Sequence, residues 1–252
     1  MEDIKNKQSK LLALLKHFDA FAKANEIRYF ISSGSCLGAV REKGFIPWDG
    51  DIDIVMRLPD YIKCEKALMS SDNSNIQWVS YKTNKNAPNL MGRIYDKEIN
   101  YKNLERYPYI DLFALVGMPN DIQKQTTIMA ESLRNYRIYW IKKRSYIHSL
   151  NRKKSIMGLL LKILLFWYPS KKCIKMFERE MIQYPYEGAT LIAPITGLYG
   201  QKEVLPKDWF EQEPLYIPFC DMMVPVTPDY DSYLRHMYGD NYMTPIQFNR
   251  YK

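Results

Sequence analysis

The stretch that decides the fold runs from Tyr29 to Met56 and reads YFISSGSCLGAVREKGFIPWDGDIDIVM. It opens on an aromatic and β-branched run typical of a strand and closes on a second such run, DIDIVM. Between the two runs lie four of the eleven glycines, at positions 34, 38, 44 and 50. Clustered glycines allow backbone N–H groups to approach phosphate oxygens, which Arg41 and Lys43 would also suit. The alternative is a mobile surface loop.

Asp51 and Asp53 lie two residues apart in the second predicted strand, so both carboxylates point to the same face. Two carboxylates this close repel each other unless a cation lies between them, and oxygen ligands without histidine suit Mg²⁺. The alternative is a solvent-facing edge strand, but Asp is depleted in strands.

Asp111 interrupts the apolar run IDLFALV, where an unpaired carboxylate would be costly. Two interpretations remain open for it. It pairs with Arg93 on the preceding predicted strand, or it joins Asp51 and Asp53 as a third carboxylate of one site.

The rest of the chain predicts an α+β or α/β fold. We expect amphipathic helices over 3–25 and 60–70, the first with a buried stripe that includes Leu11, Leu15 and Phe18. Strands are expected over 27–31, 51–56, 76–81, 92–95 and 109–116. Residues 121–184 read as helical and residues 185–228 as short pieces broken by prolines. A final helix is expected over 229–238.

Composition excludes several classes of protein. The 252 residues are 46% apolar and 25% charged, as in folded domains, and the N-terminus has no apolar segment typical of a signal peptide. The longest apolar stretch, 156–168, is shorter than the about 20 residues of a membrane span. The four cysteines have no zinc-site spacing and read as reduced thiols of a cytoplasmic protein; Cys36 reads as a small buried residue.

The net charge of +8 comes from one segment. Residues 134–175 contain twelve Lys and Arg and no Asp or Glu, so the remainder of the chain is net acidic. Within this segment, residues 156–167 place apolar side chains on one helical face between basic clusters. That pattern predicts docking on an anionic membrane, the alternative being packing of the apolar face on the core. Nucleic-acid binding is not expected, because it gives the apolar face no role.

Residues 29–56 resemble the LicD family of nucleotidyltransferase-fold enzymes. Twelve residues match its signature in register: Gly34, Leu37, Gly38, Ala39, Arg41, Gly44, Ile46, Pro47, Trp48, Asp49, Asp51 and Asp53. The segments 93–97, 110–113 and 233–245 also resemble the family. Gly50 departs from the pattern, since it stands where the family has an acid.

The resemblance implies a mixed sheet flanked by helices, formed by a catalytic core over 1–120 and a C-terminal portion over 185–252, with 121–184 as a basic helical insertion. It also implies transfer of phosphocholine, glycerol phosphate or ribitol phosphate from a CDP-linked donor to a hydroxyl of a surface glycan or its lipid-linked precursor. The enzyme would be cytoplasmic, with peripheral contact on the inner face of the membrane.

The same resemblance assigns roles to residues. Asp51, Asp53 and Asp111 would be catalytic and would hold Mg²⁺ or Mn²⁺, with Asp49 as a further candidate ligand. The donor phosphates would contact a second set: Gly34, Ser35, Gly38, Arg41 and Arg93. Two other interpretations are a nucleotidyltransferase that modifies a small molecule or protein, and a non-catalytic basic module that binds membrane or nucleic acid.

Overall fold

The computed structural model describes residues 2–71, 75–99, 104, 107–143 and 152–245. In these ranges the α-helices are α1 (Glu2–Ala24), α2 (Ser33–Glu42), α3 (Leu58–Met69), α4 (Ile122–Lys143), α5 (Arg152–Leu164), α6 (Ser170–Ile182) and α7 (Tyr230–Tyr238). The strands are β1 (Phe30–Ile31), β2 (Ile52–Arg57), β3 (Ile76–Val79), β4 (Arg93–Asp96), β5 (Ile110–Met118), β6 (Leu191–Pro194), β7 (Leu205–Pro206), β8 (Leu215–Phe219) and β9 (Met222–Val226). Short 3-10 helices cover Gly200–Glu203 and Lys207–Phe210.

A mixed seven-stranded sheet organises the fold, which confirms the predicted α+β class. Its main path runs β1-β2-β5-β4-β3, and β5 is the central strand. β2 pairs with β5 in parallel, whereas β1, β3, β4, β6 and β7 each join in antiparallel fashion. The opposite edge of β5 is shared, because its first residues pair with β4 and its last four pair with β6.

Helix α1 covers one face of this sheet, as its apolar stripe predicts. Leu11, Leu15, Phe18 and Ala22 are completely buried, and the helix packs on β3, β4 and β5. Their spacing of three and four residues places all four side chains on one helical face, which is why the sheet can bury them together.

The segment after β1 differs from the predicted glycine-rich loop. Residues 33–42 form helix α2, and only residues 43–51 are irregular. A Cβ added to Gly38 would lie 2.5 Å from the Gly44 carbonyl oxygen, so this glycine permits the chain to return tightly past the helix. Tertiary contact therefore overrides the low helix propensity of glycine here. Cys36 is fully buried within α2, as predicted, and burial raises the pKa of its thiol to about 12.

The proline-broken region contributes more regular structure than its sequence predicts. β6 and β7 extend the main sheet, and β8 and β9 form a separate hairpin. Pro194 and Pro206 lie at the ends of their short strands, and Pro218 and Pro225 lie in a two-stranded hairpin. These are positions where the missing N–H is tolerated. β6 and β7 thus belong to the same sheet as β2 and β5.

Residues 121–184 are helical where they are described, forming α4, α5 and α6. α4 packs on α6, where Asn135 Nδ2 donates to the Cys173 carbonyl oxygen at 2.9 Å. Arg144 lies outside the described residues. Over the described part of the chain, no helix combines the length and apolarity that crossing a bilayer requires.

Candidate active site

One large cavity opens where β2, β5, α2, α4 and α7 meet. Its volume is about 1010 Å³, which is at the upper end of the range for small-molecule sites. Six of the predicted site residues line it: Gly34, Arg41, Asp49, Asp51, Asp53 and Asp111.

The register of the sheet brings Asp53 and Asp111 together. β2 and β5 run parallel with these two residues directly opposite each other, and Arg93 on β4 is opposite Asp111 from the other side. Because each of the three belongs to an adjacent strand, a short row Asp53–Asp111–Arg93 crosses the sheet. The chain separation of these residues is large, so only the topology produces this row.

Asp53 lies in surroundings that disfavour its charged form. Burial, together with the charges of Asp111, Asp51, Asp49 and Glu203, raises the pKa of its carboxyl well above the usual range. Some of its surface still faces the cavity. A carboxylate in such surroundings is stabilised by anything that brings positive charge to the cavity.

Asp111 pairs with Arg93 and also lies beside Asp53 at the cavity. Arg93 Nε donates to its Oδ1 at 2.6 Å, and the guanidinium stacks on the Tyr109 ring, 3.9 Å from the centroid. Burial alone would lower the pKa of Arg93, but the facing Asp111 holds that pKa above its usual range. The other face of Asp111 lines the cavity beside Asp53. We call the cavity surface formed by these carboxylates the acidic wall: Asp49, Asp51, Asp53 and Asp111. The Arg93–Asp111 ion pair supports this wall.

The first turn of α2 forms a second wall, which exposes backbone N–H groups. The Ser33 N–H donates to the Tyr233 hydroxyl at 2.9 Å, which ties α2 to α7. A Cβ on Gly34 would lie 2.9 Å from Asp49 Oδ2, so this glycine lets a carboxylate reach the helix start. Helix N-termini favour anions, and phosphate oxygens suit the same position.

The remaining predicted phosphate-binding residues have structural partners. Ser35 Oγ accepts the Asp53 backbone N–H at 3.0 Å, and Gly38 faces Gly44. Arg41 lines the cavity while its Nε donates to Glu42 and its Nη1 to the Tyr242 carbonyl oxygen. Contact with a donor stays a prediction for all of these residues.

Glu203 is a cavity acid that the sequence did not reveal. Burial raises the pKa of its carboxyl to about 7, although its Oε2 accepts the Tyr199 N–H at 2.9 Å. A Cβ on Gly197 would overlap this carboxylate, so glycine is the residue that makes room for it. Glu203 lies in the polar segment GQKE, which has no local pattern that distinguishes it from a surface turn.

Several other cavity residues were also missed. Tyr136, Arg137 and Trp140 reach the cavity from α4, so the basic segment contributes to the site itself. Thr196 lines the cavity with a buried hydroxyl that has no hydrogen-bond partner among the described residues. The spacing of Tyr136 and Trp140, four residues apart on one helix, was the available signal.

The donor set of the acidic wall fits a hard divalent cation in charge and chemistry. It consists of carboxylates; burial, together with their mutual repulsion, raises the pKa of Asp53, and a bound cation would offset that repulsion. Among the described residues, no three Asp, Glu, His or Cys side chains form a preassembled cation cage. Binding of Mg²⁺ or Mn²⁺ by Asp51, Asp53 and Asp111, with Asp49 as a fourth ligand, therefore stays a prediction.

With this geometry in place, comparison with known proteins defines the class. Residues 26–156, about half of the chain, match the family described as LicD/FKTN/FKRP, nucleotidyltransferase domain. The chain belongs to this family.

Curated relatives are transferases or uncharacterised. The chain is 26% identical over 250 residues to the lipopolysaccharide cholinephosphotransferase LicD of Haemophilus influenzae, covering 96% of this chain and 92% of that protein. It is 29% identical over 87 residues to the human ribitol 5-phosphate transferase FKRP, covering 34% of this chain and 18% of that protein. An uncharacterised protein of Rickettsia prowazekii, RP689, is 41% identical over 58 residues, covering 23% and 22%.

Proposed function

We propose that the protein transfers phosphocholine from a CDP-linked donor to a hydroxyl of a cell-surface glycan or its lipid-linked precursor. Glycerol phosphate and ribitol phosphate are the alternative groups. The observation that carries the proposal is the register of Asp53 against Asp111 in a cavity that also contains the start of α2. Support comes from the family and from relatives that transfer phosphocholine and ribitol 5-phosphate.

Both the start of α2 and the acidic wall would take part in this reaction. The backbone N–H groups at Gly34 and Ser35, with Arg41, would hold the donor diphosphate. Asp51 and Asp53 would hold Mg²⁺, with Asp111 as a third candidate ligand, and the ion would supply charge neutralisation for the transferred group and the departing CMP.

Asp111 has a second candidate role, as acceptor of the proton from the attacking hydroxyl. The Arg93 contact holds its Oδ1, so the carboxylate has a fixed orientation, and the cavity-facing side is where a hydroxyl would approach. Either role requires the same placement beside Asp53.

Aromatic side chains favour choline over a polyol as the transferred alcohol. Tyr136, Trp140, Tyr199 and Tyr238 line the cavity together with its acids. A quaternary ammonium binds to aromatic faces through cation–π attraction, whereas a polyol gains little from them.

The experiment is release of CMP and transfer of label from CDP-choline, CDP-glycerol and CDP-ribitol. With CDP-choline we expect the choline label to move to a glycan acceptor and the cytidine label to leave as CMP. Asp51→Asn and Asp53→Asn should nearly abolish release, whereas Asp208→Asn, an exposed acid outside the cavity, should retain it.

Three outcomes would contradict the proposal or a part of it. Movement of the cytidine half onto the acceptor would identify a nucleotidyltransferase. Near-normal turnover of both Asp→Asn variants at saturating Mg²⁺ would remove the metal assignment, and ligand binding without turnover in any of the proteins would favour a non-catalytic module.

A further inference from the structure

Helix α5 exposes its large apolar side chains to solvent. Every described large apolar residue from Ile156 to Leu164 is exposed, and Leu164 and Trp167 reach 77% and 88%. Contiguous apolar surface of this kind on a soluble domain marks an interaction site. The alternative in which this face packs on the core is therefore wrong.

The exposed face of α5 carries its apolar side chains, and Lys162 lies on the less exposed side. At 3.6 residues per turn, Ile156, Leu160, Ile163 and Trp167 follow one line along the helix and its C-terminal extension. Gly158 and Lys162 lie on the other side, where Gly158 is buried and Lys162 is partly buried. An ordinary surface helix has the reverse arrangement, with charge outward and apolar residues inward.

Positive charge follows this apolar face along the chain. Lys171, Lys172 and Lys175 are exposed at the start of α6, directly after α5. The sequence from 134 to 175 has no acid, so nothing in this segment offsets the charge. Apolar side chains ending in aromatic residues, flanked by lysines, are the composition of helices that lie in the headgroup region of an anionic bilayer.

We propose that α5, with residues 165–167 and the lysines at the start of α6, is a docking surface for an anionic membrane. The apolar face of α5 would enter the headgroup and acyl boundary, and Lys171, Lys172 and Lys175 would contact lipid phosphates. Nucleic acid would not bury the apolar face, and a second copy of this chain would bring the same lysines together.

The docking surface is attached to the cavity through α4. Tyr136, Arg137 and Trp140 line the cavity, and Lys142, further along the same helix, donates from Nζ to the Leu165 and Phe166 carbonyl oxygens at the end of α5. With a rise of about 1.5 Å per residue, these contacts lie within about 10 Å along the helix axis. A docked protein would therefore present its cavity near the bilayer, where a lipid-linked glycan would be found; this last consequence rests on the proposed function.

The test is co-sedimentation of the full chain with vesicles, without donor or acceptor. We expect binding to phosphatidylcholine vesicles that contain phosphatidylglycerol, weak binding to phosphatidylcholine alone, and weakening of the former by high salt. Because no substrate is present, a failed transferase assay would leave this result unaffected, and failed docking would leave the proposed reaction standing.

Matched variants assign the binding to this surface. Leu164→Gln combined with Trp167→Gln should lower the partition coefficient by about tenfold or more, as should Lys171→Glu, Lys172→Glu and Lys175→Glu together. The controls change equally exposed residues elsewhere: Ile122→Gln with Ile182→Gln, and Lys5→Glu, Lys10→Glu and Lys66→Glu. Both controls should bind like the wild type, and thermal melting checks that all variants fold.

Brominated lipids give a second readout. Trp167 should be quenched on binding, and Trp167→Phe should lose that part of the signal. Equal binding to neutral and anionic vesicles, or unchanged binding of both surface variants, would overturn the proposal. So would sedimentation velocity that finds a wild-type dimer which Leu164→Gln with Trp167→Gln converts to a monomer without changing vesicle binding.

Discussion

The Arg93–Asp111 pair allows a stability change to be worked out from its geometry. The perturbation is Asp111→Asn, which removes the negative charge but keeps an acceptor oxygen at nearly the same position. In the wild type, Nε and Oδ1 are 2.6 Å apart, and the two side chains are 9% and 22% exposed. The substitution therefore leaves a buried guanidinium without its counter-charge.

Breaking a buried ion pair by removing one partner is destabilising by about 3–5 kcal/mol. Two features place the expected destabilisation for this pair at the lower end of that range. The amide oxygen of Asn can still accept a hydrogen bond, and the Tyr109 ring continues to stack on the guanidinium. We expect the free energy of unfolding to fall by about 3 kcal/mol, and CMP release to fall by orders of magnitude because Asp111 also faces the cavity.

The assay is guanidinium chloride denaturation at neutral pH followed by far-ultraviolet circular dichroism. Asp221→Asn is the control, since it breaks the exposed Lys16–Asp221 pair and should leave the midpoint unchanged. A loss below about 1 kcal/mol for Asp111→Asn would refute the reasoning, because it would mean that water screens the pair as at a surface. Lost stability with normal turnover would assign Asp111 a purely structural role.

Three further changes probe the acidic cavity and its support. Asp53→Asn should raise the free energy of unfolding at pH values above the usual carboxyl range, while CMP release is lost, because the folded protein no longer buries a repelled carboxylate; a destabilised variant in chemical denaturation would contradict this. The raised pKa of Glu203, about 7, means that the folded state binds its proton more tightly than the unfolded state. Stability should therefore fall by about 2–3 kcal/mol as the pH rises from the normal carboxyl range to neutrality, and Glu203→Gln should flatten that part of the curve; an unchanged slope would refute it. Gly38→Ala would place its Cβ 2.5 Å from the Gly44 carbonyl oxygen and should destabilise by about 2 kcal/mol in urea denaturation, and a neutral result would show that the backbone yields freely.

Much of the fold and the acidic wall could be predicted from local pattern. The stripe of Leu11, Leu15 and Phe18 predicts α1, and the β-branched and apolar runs predict β2 to β5 within a few residues. Period-two alternation places Asp51 and Asp53 on one face without any knowledge of the sheet. The partner of Asp111 was harder to predict, because choosing between Arg93 and Asp53 requires the strand order. The strand order places Asp111 between these two residues.

Other parts depend on contacts that no local pattern contains. Helix α2 was missed because Gly34 and Gly38 reduce helix propensity, and both are explained by atoms more than five residues away along the chain. Glu203 was missed because its burial results from α4 and α7 packing around a short polar segment. A buried acid in a polar sequence has the same local signature as an exposed one.

Helices α1 and α5 show what apolar periodicity can predict and what it cannot. In both, periodicity identifies which side chains share a face, but it does not say what that face meets. α1 turns its stripe onto the sheet, and α5 turns its stripe to solvent. Charge is the additional signal that separates them: α1 contains acids as well as bases, whereas the sequence around α5 has lysines and arginines alone. Lys171, Lys172 and Lys175 are exposed rather than buried against the net acidic remainder of the chain, and a surface that approaches lipid phosphates gains from every omitted carboxylate. The absence of acids from 134–175 was therefore already an argument, within the sequence, for an anionic partner outside the chain.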